Sequence, residues 1–398
     1  MVLHSKRKRR QRTSIMQHTN QWLLLTNMQE KIFITGCGQT TFGEKWNQGL
    51  RDLMDEAITA AIENAGCTAL DIDMVIVGNM LGEVTNNQAH LGAMAASLLP
   101  HHPPSLRAEA ACASGAVALH TACALLESKK AETVLVIGVE KMTDTPAGKI
   151  ASALMGAADA EKDAPSGLTF PGIFGLIATR YMHEYGLTRD RLNAVSAKHH
   201  KNAVSNPFAQ FRSAIPAEKI SQSPKVAEPL CMLDCSPISD GAAAVILSTK
   251  FESPLCIEAS QIASDTVSIT DRATLTSFAS TKDAMEAALT EAHLTREDID
   301  HIELHDCFSI AAIISLEDMG FAEPGKGVTL YEKDGPLTIN ASGGLKACGH
   351  PVAATGIKQI IDISKQLIAS GKSFGLTQNF GGAAATCGIH ILKHTPVS

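Results

Sequence analysis

Cys112 is the residue whose surroundings best suit covalent chemistry. It stands in the run Ala-Ala-Cys-Ala-Ser-Gly, residues 110–115, between a segment of strand character and an Ala-rich segment of helical character. A thiol at a helix N-terminus feels the positive end of the helix dipole, which favours the thiolate. The small neighbours let a substrate approach. Because cysteine is more often a buried core residue, position alone leaves both the nucleophile and the structural thiol open.

His350 is the candidate partner of this thiol. It precedes Pro351, and proline suits the first turn of a helix, so His350 also stands at a predicted helix start. A histidine within reach of a cysteine can take its proton and activate it as a nucleophile. A lone histidine is more often structural, and the pairing with Cys112 therefore depends on how the chain is organised.

The chain repeats one order of strands and helices. Residues 68–76 align with residues 295–303, sharing the threonine, the Asp-Ile-Asp run and the second isoleucine. The elements on both sides of these segments also follow in the same order, which indicates a duplication. Cys112 and His350 then begin equivalent helices. Helix starts related by a two-fold axis can face each other between the two halves.

Alternating strands and helices predict an α/β fold with parallel-type sheets covered by helices. We expect an N-terminal half at residues 29–140 plus 241–250, and a C-terminal half at residues 254–398. Residues 141–240 break the pattern with eight prolines, which predicts an inserted, partly helical loop domain. A helix is also expected near residues 88–98, and Thr281 is expected to be the N-cap of another.

Two further runs could contribute to chemistry. A His-Asp-Cys-Phe run starts at His305, at the expected carboxyl end of a strand, where loops line active crevices. His305 could donate to a developing oxyanion, and Cys307 could shuttle a proton. Asp306 is interpreted as a cap for the helix that starts near Ser309. The glycines of residues 379–382 could offer backbone N–H groups to an oxyanion, or could form a plain turn.

Composition narrows the function classes. The chain has 398 residues, 45% of them hydrophobic, and a net charge of -7, which argues against a nucleic-acid or membrane-surface partner. No apolar run approaches the ~20 residues of a membrane span. Among ten cysteines, Cys231 and Cys235 stand four apart without a second ligand pair, so no metal site is expected. Free thiols indicate a reducing compartment.

Residues 1–28 differ from the rest of the chain. They contain a basic run at residues 6–10, and no acidic residue precedes Glu30. We interpret this segment as a disordered basic extension and expect the protein to be cytoplasmic. The alternative is a transit peptide and a mitochondrial location.

Together these residues resemble the thiolase superfamily. Residues 343–345 and 349–351 are similar to its C-terminal histidine signature, and residues 112–115 to its nucleophile loop. Residues 236–243 resemble the segment that reaches the pantetheine of coenzyme A. The resemblance covers roughly residues 30–393. It implies the duplicated five-layer αβαβα fold with an inserted loop domain.

One branch of that superfamily, the sterol-carrier-protein-2-type thiolases, shares the His-Asp-Cys-Phe motif of residues 305–308. Ordinary thiolases have Asn-Glu-Ala-Phe there and carry a second catalytic cysteine near the C-terminus, where this chain has Asn379. The resemblance therefore implies that the acid/base duty moves to Cys307. Cys348, two residues before His350, departs from the expected polar residue and is a rival thiol.

The resemblance implies an acyl-CoA C-acyltransferase of lipid metabolism. It would cleave 3-ketoacyl-CoA with coenzyme A, or run the reverse Claisen condensation, through an acyl-cysteine. The expected catalytic residues are Cys112, His305, Cys307 and His350. The backbone N–H groups of Cys112 and Gly381 are expected to hold an oxyanion, and Ser236 to bind coenzyme A. Coenzyme A is expected as a substrate, with no permanently bound cofactor, in a homodimer or homotetramer.

Three alternatives stay open. One is a ketosynthase-like condensing enzyme fed by acyl carrier protein, although such enzymes place their first histidine in a Thr-rich loop, unlike His305. Another is a C-acyltransferase that acts on a different acceptor. The third is a non-catalytic, thiolase-fold subunit of a complex.

Overall fold

The computed structural model describes residues 30–396. Its strands are β1 (Ile32–Gln39), β2 (Met74–Gly78), β3 (Ser105–Ala108), β4 (Thr133–Glu140), β5 (Lys225–Ala227), β6 (Leu230–Cys231), β7 (Gly241–Ser248), β8 (Leu255–Ser264), β9 (His301–Glu303), β10 (Thr338–Ile339), β11 (Phe374–Gly381) and β12 (Thr386–His394). Its α-helices are α1 (Leu50–Asn64), α2 (Gly82–Asn86), α3 (Leu91–Ala96), α4 (Ser114–Glu127), α5 (Ala147–Leu154), α6 (Phe170–Tyr185), α7 (Arg189–Asn202), α8 (Ala217–Gln222), α9 (Ala279–Ala292), α10 (Ser309–Asp318), α11 (Thr329–Glu332), α12 (Gly344–Cys348) and α13 (Ala354–Ser370). The basic extension predicted at residues 1–28 lies outside this range.

Ten strands form one mixed sheet, in the order β10-β9-β11-β12-β8-β1-β7-β4-β2-β3. The outer strands of each half pair in parallel, as the alternation of strands and helices predicts. The strands nearer the centre are antiparallel, so the prediction of a parallel-type sheet holds only for the outer part. None of the helices within the described range has the length and apolar character that crossing a membrane requires.

The strand order is symmetrical about the contact between β1 and β8, where Ile32 pairs with Ile257. Each strand of the N-terminal half has a counterpart at the same distance on the other side. The repeated segments seen in the sequence also fold alike. The Thr68 N–H bonds the Asp71 carboxylate at 2.9 Å, and the Thr295 N–H bonds that of Asp298 at 2.8 Å. The predicted duplication is confirmed.

The helices complete five layers. On one outside face α1 packs on β1, β7 and β4, and α3 packs on β2 and β3. On the other, α9 packs on β8 and β12, and α10 shares a core with β9 and β11. Helices α4 and α13 contact each other and strands of both halves. They therefore lie between the two halves of the sheet as the middle layer. This position places the N-termini of both helices at the junction of the halves.

Between β4 and β7 the chain leaves the sheet and forms α5 to α8 and a two-stranded sheet of β5 and β6. The buried carboxylate of Asp240 joins the two ends of this excursion. Its Oδ1 accepts from the backbone N–H of Met142 at 2.6 Å and of Thr143 at 2.9 Å. The excursion therefore starts and ends at one fixed point beside the sheet.

The helix expected near residues 88–98 is confirmed as α3 (Leu91–Ala96), although it is shorter than expected. Asn87, with a left-handed φ of 53°, ends α2 ahead of it. One local prediction was wrong. Thr281 is not an N-cap, since α9 already begins at Ala279. Its hydroxyl instead contacts the buried sulfur of Cys387.

Candidate active site

Cys112 lies in a tight turn between β3 and α4. The preceding residue, Ala111, has a φ of +51°, a left-handed conformation that is strained for a residue with a side chain and that recurs at functional sites. Ser114 holds the turn, since its Oγ accepts from the Ala110 N–H at 2.9 Å and donates to the Ala111 carbonyl at 2.6 Å. The turn presents the thiol at the junction of the two halves.

The end of β11 closes against this turn. A Cβ on Gly381 would lie 2.2 Å from the Ala110 carbonyl oxygen, so only glycine permits the approach. The backbone N–H groups of Gly382 and of Cys112 itself face the Cys112 sulfur and act to lower the pKa of its thiol, against the effect of burial. Gly382 is thus the neighbour whose N–H reaches the thiol, one residue beyond Gly381. The sequence predicted Gly381 as a backbone donor to an oxyanion, and the Gly382 N–H is the one that faces the sulfur.

His350 precedes α13, at the position equivalent to Cys112 before α4. Its Nδ1 lies 2.7 Å from Thr355 Oγ1, which itself donates to the Pro351 carbonyl at 3.3 Å. Because that hydroxyl proton is already used, the Nδ1 of His350 is the donor and its Nε2 carries the lone pair. This Nε2 is buried and has no hydrogen-bond partner within residues 30–396. His350 is therefore set up to accept a proton.

His305 has the opposite arrangement. Its Nδ1 is 2.8 Å from Asn379 Nδ2, and an amide nitrogen can only donate, so the ring proton resides on Nε2. That Nε2–H has no acceptor within the described residues. The His305 ring stands edge-on to His350, with centroids 5.0 Å apart, and packs at 4.2 Å on Phe380. His305 is therefore set up to donate a hydrogen bond.

The three side chains converge. The Cys112 sulfur and a ring nitrogen of each of His305 and His350 all lie within 4.8 Å of one another. Cysteine and histidine are also zinc ligands, so the same cluster could bind a soft divalent cation. The absence of a metal stays a prediction.

A cavity of about 250 Å³ opens beside this cluster, and four of the residues predicted from the sequence line it. They are Cys112, Ser236, Cys307 and His350. The rest of the lining is mostly apolar. The backbone N–H of Ser236 donates to the Cys307 carbonyl at 2.8 Å, which ties the two together.

Cys348, the rival thiol, does not line this cavity. It is the buried last residue of α12, and its thiol donates to the Ser342 carbonyl at 3.1 Å. Asp306 also differs from its interpretation as a cap of α10. Its Oδ1 accepts from the Leu345 N–H at 2.7 Å, so it caps α12 instead. That prediction was wrong because the carboxylate points away from the helix that follows it in sequence.

Burial sets the protonation of the site. Desolvation raises the pKa of the Cys112 thiol to about 12, although the Gly382 N–H opposes the shift. It also lowers the pKa of His350 to about 4, against the attraction of Asp306. The resting pair is thus a neutral thiol and a neutral imidazole. The thiolate expected from the helix dipole is outweighed by the loss of water.

Comparison with known proteins agrees with this fold. Residues 32–250 match the family described as thiolase, N-terminal domain, and residues 262–394 match thiolase C-terminal domain-like. An acetyl-CoA acetyltransferase of Methanothermobacter thermautotrophicus is 42% identical over 91% of this chain and 99% of its own. Human sterol carrier protein 2 is 31% identical, over 85% of this chain and 66% of its own. The structure of an acetyl-CoA acetyltransferase from Syntrophomonas wolfei, 20% identical, superposes with a TM-score of 0.74 over 92% of this chain and 99% of that one. The chain belongs to the thiolase family.

Proposed function

We propose that this protein is an acyl-CoA C-acyltransferase that joins or cleaves acyl groups through an acyl-cysteine on Cys112. The observation that carries this proposal is the convergence of the Cys112 thiol with a proton-accepting His350 and a proton-donating His305 beside one cavity. The similarity to proteins named acetyl-CoA acetyltransferase supports it. In the degradative direction the substrate is a 3-ketoacyl-CoA and the acceptor is coenzyme A.

The first half-reaction forms the acyl-enzyme. The Nε2 of His350 takes the proton of Cys112, and the thiolate attacks the 3-keto carbon. The bond between C2 and C3 then breaks, and acetyl-CoA departs as an enolate. The Nε2–H of His305 and the newly protonated His350 donate to the enolate oxygen. Cys307 gives its thiol proton to C2, which completes acetyl-CoA.

The second half-reaction releases the acyl group. The Cys307 thiolate takes the thiol proton of coenzyme A, whose sulfur then attacks the acyl carbon on Cys112. The backbone N–H of Cys112 holds the oxyanion together with a glycine N–H at the end of β11. Gly381, which packs against the Cys112 turn, is the proposed donor, and the Gly382 N–H faces the sulfur itself. Collapse expels the Cys112 thiolate, which regains its proton from His350.

Coenzyme A is a substrate in this proposal, and no permanently bound cofactor takes part. Its pantetheine would enter past Ser236, on the wall of the cavity that leads to both thiols. Because each half-reaction ends with one product leaving, the kinetics are expected to be ping-pong.

The cavity favours an acyl group longer than acetyl. Beside Cys112 it is walled by Met142, Ile150, Leu154 and Val352. An apolar cavity of about 150 Å³ holds a benzene ring. The cavity of about 250 Å³ therefore has room for several acyl carbons beside the end of the pantetheine.

We also propose a homodimer, or a tetramer built from dimers. Strand β3 is the last strand of the sheet, its four residues are partly exposed, and it leads directly to Cys112. An open edge strand pairs readily with another chain. Light scattering on the purified protein tests this. The ten cysteines form no disulfide within residues 30–396, which favours a reducing compartment such as the cytoplasm.

A thiolysis assay tests the function. The purified protein is incubated with coenzyme A and 3-ketoacyl-CoA substrates of increasing chain length, and the release of acetyl-CoA is measured. We expect release that is lost in Cys112→Ser. Absence of release from every substrate, with acyl-CoA still bound, would favour a transferase with another acceptor or a non-catalytic subunit.

A further inference from the structure

A buried contact between a histidine and a carboxylate lies behind the candidate catalytic loop and has no role in the steps above. The Nδ1 of His199 is 2.7 Å from Oδ2 of Asp306, and both side chains have no exposed surface. His199 comes from α7, in the excursion between β4 and β7. Asp306 stands between His305 and Cys307 in sequence. Neither His199 nor Asp306 lines the cavity.

The other oxygen of Asp306 accepts two hydrogen bonds. Its Oδ1 accepts from the Leu345 N–H at 2.7 Å and from Asn340 Nδ2 at 3.0 Å. Asn340 also accepts from the Leu304 N–H at 2.7 Å. Residues 304 and 306, on either side of His305, are therefore tied to the segment of residues 340–345 ahead of His350. Movement of this loop would change the direction of His305.

Gly344 shows how closely the Asp306 carboxylate packs against the start of α12. A Cβ at this position would lie 2.5 Å and 2.6 Å from the two Asp306 carboxylate oxygens, and its φ is +60°. Any other side chain would displace the carboxylate. The Gly-Gly-Leu run of residues 343–345 has no part in the mechanism above. It accommodates the Asp306 carboxylate through the missing side chain of Gly344 and the N–H of Leu345.

The carboxylate is also a fixed charge. Burial alone would raise the pKa of Asp306, but His199, Lys346 and the Leu345 N–H lower it below its usual range. Asp306 is therefore ionised at every pH of interest. Its charge raises the pKa of His350 and of Cys307, while the buried ammonium of Lys346 lowers that of Cys307.

We propose, on the basis of the function proposed above, that Asp306 held by His199 is a positioning residue for acyl transfer. Its carboxylate fixes the backbone that joins His305 to Cys307, and it supplies a constant negative charge beside both. A purely structural pair would support folding only. A positioning pair must also change how the thiols react.

The first test uses Asp306→Asn, which keeps the shape and removes the charge. The charged or titratable groups that face Cys307 are Cys112, Lys346 and Asp306. Burial holds the pKa of the Cys307 thiol well above its usual range, and the charge of Asp306 raises it further. Without the carboxylate, iodoacetamide should therefore modify Cys307 faster at a fixed pH of about 8.5, as followed by peptide mass spectrometry. We expect kcat to fall about 10²-fold, the loss typical of a misplacement of about 1 Å. An unchanged modification rate would overturn the proposal.

The second test keeps the carboxylate and changes its partner. His199→Asn retains a donor at the position of Nδ1 and should keep kcat within about threefold, whereas His199→Leu removes it and should lower kcat about 10- to 100-fold with little change in KM. His301→Gln, at a buried histidine that contacts Ser370, is the matched control. Equal kcat in the two His199 variants would overturn the proposal even if Asp306→Asn did not fold.

The readouts also separate this proposal from the proposed function. Thiol modification needs no substrate, so the change in its rate can be measured in a protein without thiolysis activity. Faster modification of Cys307 in Asp306→Asn, with no thiolysis by the wild type, would contradict the proposed acyl transfer and support the positioning role. Thiolysis by the wild type, with an unchanged modification rate in Asp306→Asn, would contradict the positioning role and support the acyl transfer.

Discussion

Asn379 Nδ2 lies 2.8 Å from His305 Nδ1, and this contact fixes the proton of the imidazole on Nε2. The residue that occupies the usual place of a second catalytic cysteine is therefore a partner of the histidine. His305 and His350 consequently differ in role, since one offers a proton where the other offers a lone pair.

Asn379→Asp should exchange the role of His305. A carboxylate accepts from Nδ1–H, so the neutral ring would carry its lone pair on Nε2 and lose its donor. We expect kcat to fall about 10²- to 10³-fold at neutral pH, as for loss of an oxyanion donor. Activity should partly return at lower pH, where the imidazolium again donates. Asn86→Asp, outside the cavity, is the control, and a pH-independent loss would contradict the account.

Thr355→Val should impair His350 without touching the cavity. The variant keeps the volume and removes the Oγ1 that accepts from Nδ1. We expect kcat and the rate of Cys112 acylation to fall together, about 10- to 100-fold. Thr355→Ser retains the hydroxyl and should stay within a few-fold of wild type. Equal losses in both variants would show that packing, not the hydrogen bond, matters.

The pH dependence of thiol modification tests the neutral resting pair. Since burial raises the pKa of Cys112 to about 12, its thiolate should be scarce below that pH in the free enzyme. Alkylation of Cys112 by iodoacetamide should therefore still be rising above about pH 8.5, the ordinary thiol value. A plateau near neutral pH would indicate a preformed thiolate–imidazolium pair instead.

Cys307→Ala should separate the two half-reactions. The variant retains the Cys112–His350 pair, so it should still take up an acyl group from acyl-CoA. It lacks the proton shuttle, so thiolysis should fall about 10²- to 10⁴-fold. Cys348→Ala is the matched control, because that thiol is buried away from the cavity. Normal turnover in Cys307→Ala with collapse in Cys348→Ala would reverse the assignment.

Leu154→Trp should shorten the accepted acyl chain. The larger side chain occupies the apolar end of the cavity, so kcat/KM should fall at least about tenfold for each methylene excluded, with the shortest substrate unaffected. Leu176→Trp, at an exposed position of α6, is the control. An unchanged chain-length profile would mean that the acyl group lies elsewhere.

The sequence predicted the pairing of Cys112 with His350 because the duplication is visible locally. The Thr-x-x-Asp turns at Thr68 and Thr295 and the apolar runs after them recur in the same order. Two equivalent helix starts at the junction of the halves then follow from the repeat.

The partners of these residues could not be predicted in the same way. Asn379 meets His305 from a neighbouring strand 74 positions along the chain, and Asp306 meets His199 from a separate segment. Strands β8 and β12 were also missed. Such contacts depend on how strands and layers are arranged, which local spacing does not encode. A polar residue at the end of a strand beside that of His305 is the signal that could have directed attention to Asn379.

The central claim is that Cys112 carries the acyl group. Intact mass spectrometry after incubation with acetyl-CoA or acetoacetyl-CoA, with peptide mapping, tests it most directly. The account predicts one added acetyl group on Cys112, its absence in Cys112→Ala, and its removal on addition of coenzyme A. An acetyl group on Cys307 or Cys348, or an unmodified protein that nevertheless catalyses thiolysis, would contradict it.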